Sequence, residues 1–211
     1  MKSAMMLIVL ATLAAQVRAD VLVNQSSLNG NSFDITDYRL ADDFQPTEAA
    51  YLQNVQFWYQ AQFQTDLAAV TYAVYADNSG SLGAVLETGT VDDPSTGYDT
   101  VSGLFFADFG IGPLLVSPTD TYWLELHAGT SLTDTSGFTI SWAATADNAT
   151  NVALENLTLS TPDTPVGVSG FDQYSLVVTA TPIPEPSTVS MVATIGLALA
   201  GAALLRRART N

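Results

Sequence analysis

A single histidine, no cysteine and twenty-one carboxylates bound the chemistry open to this 211-residue chain. Without a thiol there is no cysteine nucleophile or cysteine-held metal, and a zinc site would have to be completed by carboxylates. A Ser-His-Asp triad would have to use His127, yet no Gly-x-Ser-x-Gly turn presents a serine, and Gly167-Val168-Ser169-Gly170 has the wrong spacing. His127 falls at the end of a strand-like stretch among polar neighbours and is read as an exposed histidine. A glycosidase needs only two carboxylates brought to the right separation by the fold, and spacing along the chain does not reveal such a pair. The chain is therefore read as non-enzymatic, with glycan-cleaving chemistry left open.

The tryptophans point to binding. Val55, Phe57 and Tyr59 alternate with Gln56, Trp58 and Gln60, and Tyr122, Leu124 and Leu126 alternate with Trp123, Glu125 and His127. This period of two sets Trp58 and Trp123 on the polar sides of their strands, beside Gln56 and Glu125. Indole faces next to amides and carboxylates suit a sugar, whose apolar face stacks while its hydroxyls find hydrogen-bond partners. The alternative is that loops or a second layer cover both indoles, since tryptophan is highly buried on average.

The carboxylates are numerous but not spaced as ligands. Asp34, Asp37, Asp42 and Asp43 could hold Ca²⁺ weakly, as a hard cation takes oxygen ligands. No Asp-x-Asp-x-Asp-Gly loop is present, so a solvated acidic surface is the favoured reading and no cofactor is implied. Asp77-Asn78-Ser79-Gly80 reads as a turn, with Asp and Asn bonding nearby backbone and Gly at positive φ.

The elements that must carry these residues lie between two distinctive ends. Lys2, an apolar run from Ala4 to Ala15 broken only by Thr12, and Val17-Arg18-Ala19 have the layout of a secretory signal peptide over residues 1–19, cut between Ala19 and Asp20. A twelve-residue core is too short to cross about 30 Å of hydrocarbon. Near the other end, Thr181-Pro-Ile-Pro-Glu-Pro-Ser-Thr188 is an extended, helix-forbidding spacer. Val189–Leu205 carries no charge and predicts a membrane-spanning helix of about 25 Å. Arg206, Arg207 and Arg209 follow, and such basic flanks stay cytoplasmic, which sets the rest of the chain outside.

Pro184-Glu185-Pro186-Ser187, then the apolar segment, then the arginine cluster over 206–211, resembles the PEP-CTERM sorting signal of exported proteins in exopolysaccharide-producing Gram-negative bacteria. Pro184, Glu185 and Pro186 match its core motif, and Ile183 stands where valine is commoner. The resemblance covers about thirty residues. It implies recognition by an exosortase, a membrane-embedded cysteine transpeptidase-like enzyme, with cleavage close to Pro-Glu-Pro. It also implies an inner-membrane precursor on its way to the cell surface or extracellular matrix.

Between these ends, 20–181 has the size of one domain with a real core. Of 21 acidic residues only Glu185 lies outside it, and of six basic residues only Arg39 lies inside, a net charge of −19. Such a charge repels nucleic acid and anionic headgroups. Strand patterns recur at Val55–Gln60, Val70–Tyr75, Ala84–Val91, Val101–Phe109, Thr121–His127, Phe138–Trp142 and Tyr174–Thr179. Turn-rich connectors separate them at Asp77–Gly83, Asp92–Gly97 and Gly110–Pro118. The pattern predicts an all-β fold, an antiparallel β-sandwich of jelly-roll type. Asp34–Phe44, Val55–Tyr59 and Val74–Gly83 loosely resemble outer domains found beside PEP-CTERM tails, which implies a fold rather than an activity. Two functions remain in view: a non-catalytic envelope or matrix protein, and a carbohydrate-binding module for exopolysaccharide that uses Trp58 and Trp123.

Overall fold

The computed structural model describes residues 20–131, 138–145, 154–156, 166–167 and 173–183. The residues expected to form a signal peptide (1–19), the expected sorting motif at 184–187, the apolar segment 189–205 and the basic tail lie outside the described residues. Among the described residues no helix is long and apolar enough to cross a membrane.

Two antiparallel sheets face each other. The first is built around the eleven-residue β4 (Ala50–Gln60). On one side β4 pairs with β14 (Leu176–Pro182) and β11 (Ser141–Thr145); on the other it pairs with β8 (Leu104–Gly110) and β9 (Leu115–Val116). Outside these lie β1 (Asp20–Gln25) on β14, β2 (Leu28–Asp34) on β11 and β7 (Ser95–Asp99) on β8. The second sheet runs β13 (Val166–Gly167), β12 (Leu154–Asn156), β3 (Arg39–Phe44), β10 (Tyr122–Ala128), β5 (Ala69–Asp77), β6 (Leu82–Asp92). Successive strands cross repeatedly from one sheet to the other, so most contacts that hold the domain are distant in sequence.

The core fills the space between the sheets from the alternating apolar rows. Val55, Phe57 and Tyr59 of β4 meet Tyr122, Leu124 and Leu126 of β10, with Val70, Tyr72 and Val74 of β5 and Leu176, Val178 and Ala180 of β14. Each large apolar side chain so buried contributes about 1.5–3 kcal/mol against leaving it in water. Trp142 stacks on Tyr174 at 4.6 Å, meets Phe57 edge-on at 6.0 Å, and donates its indole N–H to the Ser175 carbonyl at 2.8 Å.

Three local expectations are corrected. Asp92–Gly97 is not all connector, because β7 starts at Ser95 and forms a hairpin with β8. Val101 belongs to that hairpin's turn: the Asp99 carboxylate accepts the Val101 amide at 2.9 Å and the Ser102 hydroxyl at 2.8 Å, and Gly103 takes φ +75°. Phe138 is exposed rather than in line with Ile140 and Trp142, since the strand opens only at Ser141.

The two sheets end very differently on their outer sides. Every residue of β3 and β10 is buried, so the middle of the second sheet is covered on both faces. The outer side of β4 is partly open, with Tyr51, Gln53 and Gln60 exposed and Gln56 and Trp58 half-buried.

Candidate functional site

The open outer face of the first sheet is shaped by an irregularity in β4. Asn54 stands opposite Thr179 and Leu52 opposite Ala180, so Gln53 is the extra residue of a bulge. The bulge keeps Leu52 and Val55 both in the core and leaves Tyr51, Gln53, Gln56, Trp58 and Gln60 facing out. From the neighbouring strand Phe106 stands opposite Trp58 and Asp108 opposite Gln56. The Asn54 amide donates to the Asp108 carboxylate. Phe106 lies over Gly97, where a Cβ would come within 2.2 Å of the ring and would have to displace it.

Trp58 is held from its backbone. The Ser175 hydroxyl accepts the Trp58 amide at 3.1 Å and donates to the Trp58 carbonyl at 3.2 Å. The indole N–H is shut off from solvent and makes no hydrogen bond of normal geometry. It lies near Asp99, whose carboxyl is held below the usual range by the Val101 amide and the Ser102 hydroxyl, with a lesser contribution from that indole. At the end of the row Gln60 accepts the Ser32 hydroxyl at 3.1 Å, beside a hollow of about 250 Å³ lined by Leu28, Gly30, Ser32, Leu104 and Ala143. Two half-buried aromatic rings, a row of amides and flanking carboxylates match what a neutral sugar chain requires of a protein surface.

Trp123 and Glu125 do not belong to this face. They lie on β10 in the opposite sheet and are only 2 % and 1 % exposed. The alternation set them on the polar side correctly, but that side is sealed. The Trp123 indole packs with Ala41, Tyr75 and Leu82 and donates to Asp77 Oδ1 at 2.9 Å. The same oxygen accepts the Gly80 amide at 3.0 Å, tying the indole to the expected turn, in which Ser79 and Gly80 both take positive φ. Glu125 lies 3.3 Å from Arg39 Nε and accepts the Tyr75 hydroxyl. The one basic residue of the acidic domain is thus spent on an internal carboxylate. Burial raises the Glu125 pKa, against the opposing pull of the Tyr75 hydrogen bond and the Arg39 charge. Burial also raises that of Tyr75, with the Glu125 charge adding to it.

His127 corrects a second expectation. It is fully buried, with Nδ1 3.1 Å from the Tyr38 carbonyl, and is not a surface histidine. The four carboxylates considered for Ca²⁺ do not converge. Asp34 Oδ1 accepts the Thr36 amide at 2.7 Å and closes a turn. Asp42 faces the core, wholly buried, and accepts the Tyr174 amide at 2.8 Å. Asp43 points to the other side of the same strand, where burial pushes its pKa up to about 6. Burial, with the adjacent Asp43 charge, also raises the Asp42 carboxyl. Among the described residues no three His, Cys, Asp or Glu side chains gather to hold a metal ion.

Phe106, Asp108 and Asn54 escaped the sequence reading. The signal for Phe106 and Asp108 was present in β8, where Phe105, Ala107 and Phe109 alternate with them, but only strand pairing sets that outward row beside Trp58 and Asn54 of β4. The chain matches no protein-family model and no curated protein.

Proposed function

We propose that this is an exported, non-catalytic envelope or matrix protein, sorted by an exosortase through its C-terminal signal. One observation carries the reading. β14 ends at Pro182, opposite Ala50, and Ile183 follows outside the strand, so the expected cut near Pro184–Pro186 falls beyond the last described ladder pair. Cleavage after Ala19 and near Pro184–Pro186 would release the sandwich with its described ladders intact. The precursor would sit in the inner membrane through 189–205, with the domain periplasmic and Arg206, Arg207 and Arg209 cytoplasmic, before delivery to the surface or matrix. The interleaved strand order, β1-β14-β4-β8 against β3-β10-β5-β6, supports the jelly-roll form of the sandwich. Burial of the single histidine supports the non-catalytic half, since it takes the imidazole away from surface chemistry.

Intact mass of the mature protein from its native host tests this. A chain from Asp20 to the Pro184–Pro186 region is expected. Retention of Arg206–Arg209 would mean a plain anchor and would remove the exosortase.

A second reading, carbohydrate binding to exopolysaccharide, is favoured by the Trp58–Phe106 pair and the Gln56 and Gln60 amides on the open face. Trp123 and Glu125 have no part in it. Titration of the full chain with neutral and acidic polysaccharides should give binding that Trp58→Ala abolishes and Trp123→Phe leaves in place. Binding unchanged in Trp58→Ala would overturn it.

A further inference from the structure

Four of the exposed large apolar side chains among the described residues lie where the chain enters and leaves the fold. Val21, Tyr51, Leu115 and Ile183 are 54, 42, 51 and 41 % exposed. Strand register sets them on one face. Tyr51 stands opposite both Leu115 and Thr181, Val21 stands opposite Thr179, and residues 179, 181 and 183 share a side by the two-residue period. Their neighbours Ala50, Leu52 and Ala180 are buried in the core, so this is the outer face of the first sheet. Leu115 also lines a hollow of about 540 Å³ at the same end, shared by Leu86, Leu114 and Tyr122 with the carboxylates of Asp77 and Asp120.

Resting on the reading of 189–205 as a membrane span, we propose that this apolar row seats on the lipid headgroup layer while the chain is tethered. Five residues separate Ile183 from Val189, and the six steps between the two span at most about 22 Å when fully extended. The tether therefore holds Ile183, and the row it belongs to, close to the bilayer surface. Tyr51 brings the aromatic-with-polar-tip chemistry that concentrates at membrane interfaces, and Val21, Leu115 and Ile183 bring aliphatic surface. Four side chains make too small a patch to hold a free domain on lipid, but the tether converts docking into an intramolecular event at high effective concentration. The net charge of −19 between 20 and 181 opposes anionic headgroups and a second copy alike. Zwitterionic lipid is the occupant that meets no such repulsion. With the sheet standing on this end, Trp58 lies about 23 Å further along β4 and stays clear of the headgroups. Docking then lasts as long as the tether and ends when the signal is cut.

The chain has no cysteine, so single labels are unambiguous. The full chain carrying Leu115→Cys, and separately Val101→Cys, would be labelled with an environment-sensitive fluorophore and reconstituted in phosphatidylcholine vesicles containing a headgroup-level quencher lipid. Val101 is 94 % exposed and sits in the β7–β8 turn at the far end of the same sheet. Quenching several-fold stronger at 115 than at 101, and reduced by Tyr51→Ser, is the expected result. Equal quenching at both positions in vesicle-bound chain would overturn end-on docking while leaving the anchor reading intact. A blue-shifted but unquenched label at 115 would mean that protein covers the row, and would overturn it too. Failure of the chain to float with the vesicles would remove the anchor reading and this inference together.

Discussion

The outer faces of the two sheets begin from the same sequence grammar and reach opposite ends. In β4 and in β10 an apolar row faces the core and an aromatic residue sits among polar groups on the other side. Trp58 ends half-buried beside Phe106 and a row of amides. Trp123 ends sealed, with its N–H on Asp77 and with Arg39 and Tyr75 both held on the Glu125 carboxylate nearby. Alternation tells which side of a strand a residue occupies; whether water reaches that side depends on what packs over it. The sealed face also shows what sealing requires. A buried carboxylate is tolerated where a cation and a hydroxyl face it, and the only cation in the acidic domain lies there.

The largest effect that could break this comparison is truncation of the two indoles. Trp123→Ala should cost about 3–5 kcal/mol by leaving a cavity and an unpaired Asp77. Trp58→Ala should cost less than half of that, read as the difference in urea midpoints. Equal losses would mean that the two faces are alike. Next, Arg39→Met strands the Glu125 charge and should cost up to about 3–5 kcal/mol, with much of that recovered in Arg39→Met/Glu125→Gln. Failure of the second change to rescue stability would show that the pair acts through packing alone.

A pH series sharpens the contrast further. Asp43, Asp42 and Glu125 have folded-state pKa values raised above the ordinary carboxylate values of about 4. The folded state therefore binds protons more tightly than the unfolded one. The stabilisation is fully present below the unfolded pKa and is lost as pH rises through the folded one, for Asp43 about 6. The urea midpoint should thus fall from pH 5 to pH 7, and Asp43→Asn should flatten that fall. The smallest effect is expected at Gly97→Ala, which must displace the Phe106 ring at a cost of about 1 kcal/mol. It should weaken polysaccharide binding more than it lowers stability, measured on the same sample by titration and by melting.

Much of the fold was legible because its signals are local. The period of two at Val55–Gln60 and Tyr122–His127, and the Asp77–Gly80 turn, depend on residues a few positions apart. β3 was not legible, because Asp42 and Asp43 read as part of a solvated acidic surface. The strand is in fact buried along its length, with Asp42 bonded to the Tyr174 amide from the far end of the chain. Half of the candidate site was legible in the same way: Trp58 and Gln56 from their own strand, but not Phe106 and Asp108, which only pairing with β8 brings alongside.

By itself the sequence determined the strand periodicity, the composition of the core rows, the extreme negative charge and the tripartite pattern of each end, because all of these are properties of neighbouring residues. Only the tertiary structure decided which polar row meets water, which carboxylate receives the lone arginine, and that β1 and β14 lie side by side. Those outcomes depend on contacts between strands far apart in the chain, whose packing sets solvent exposure, and with it the energy of every polar group they cover.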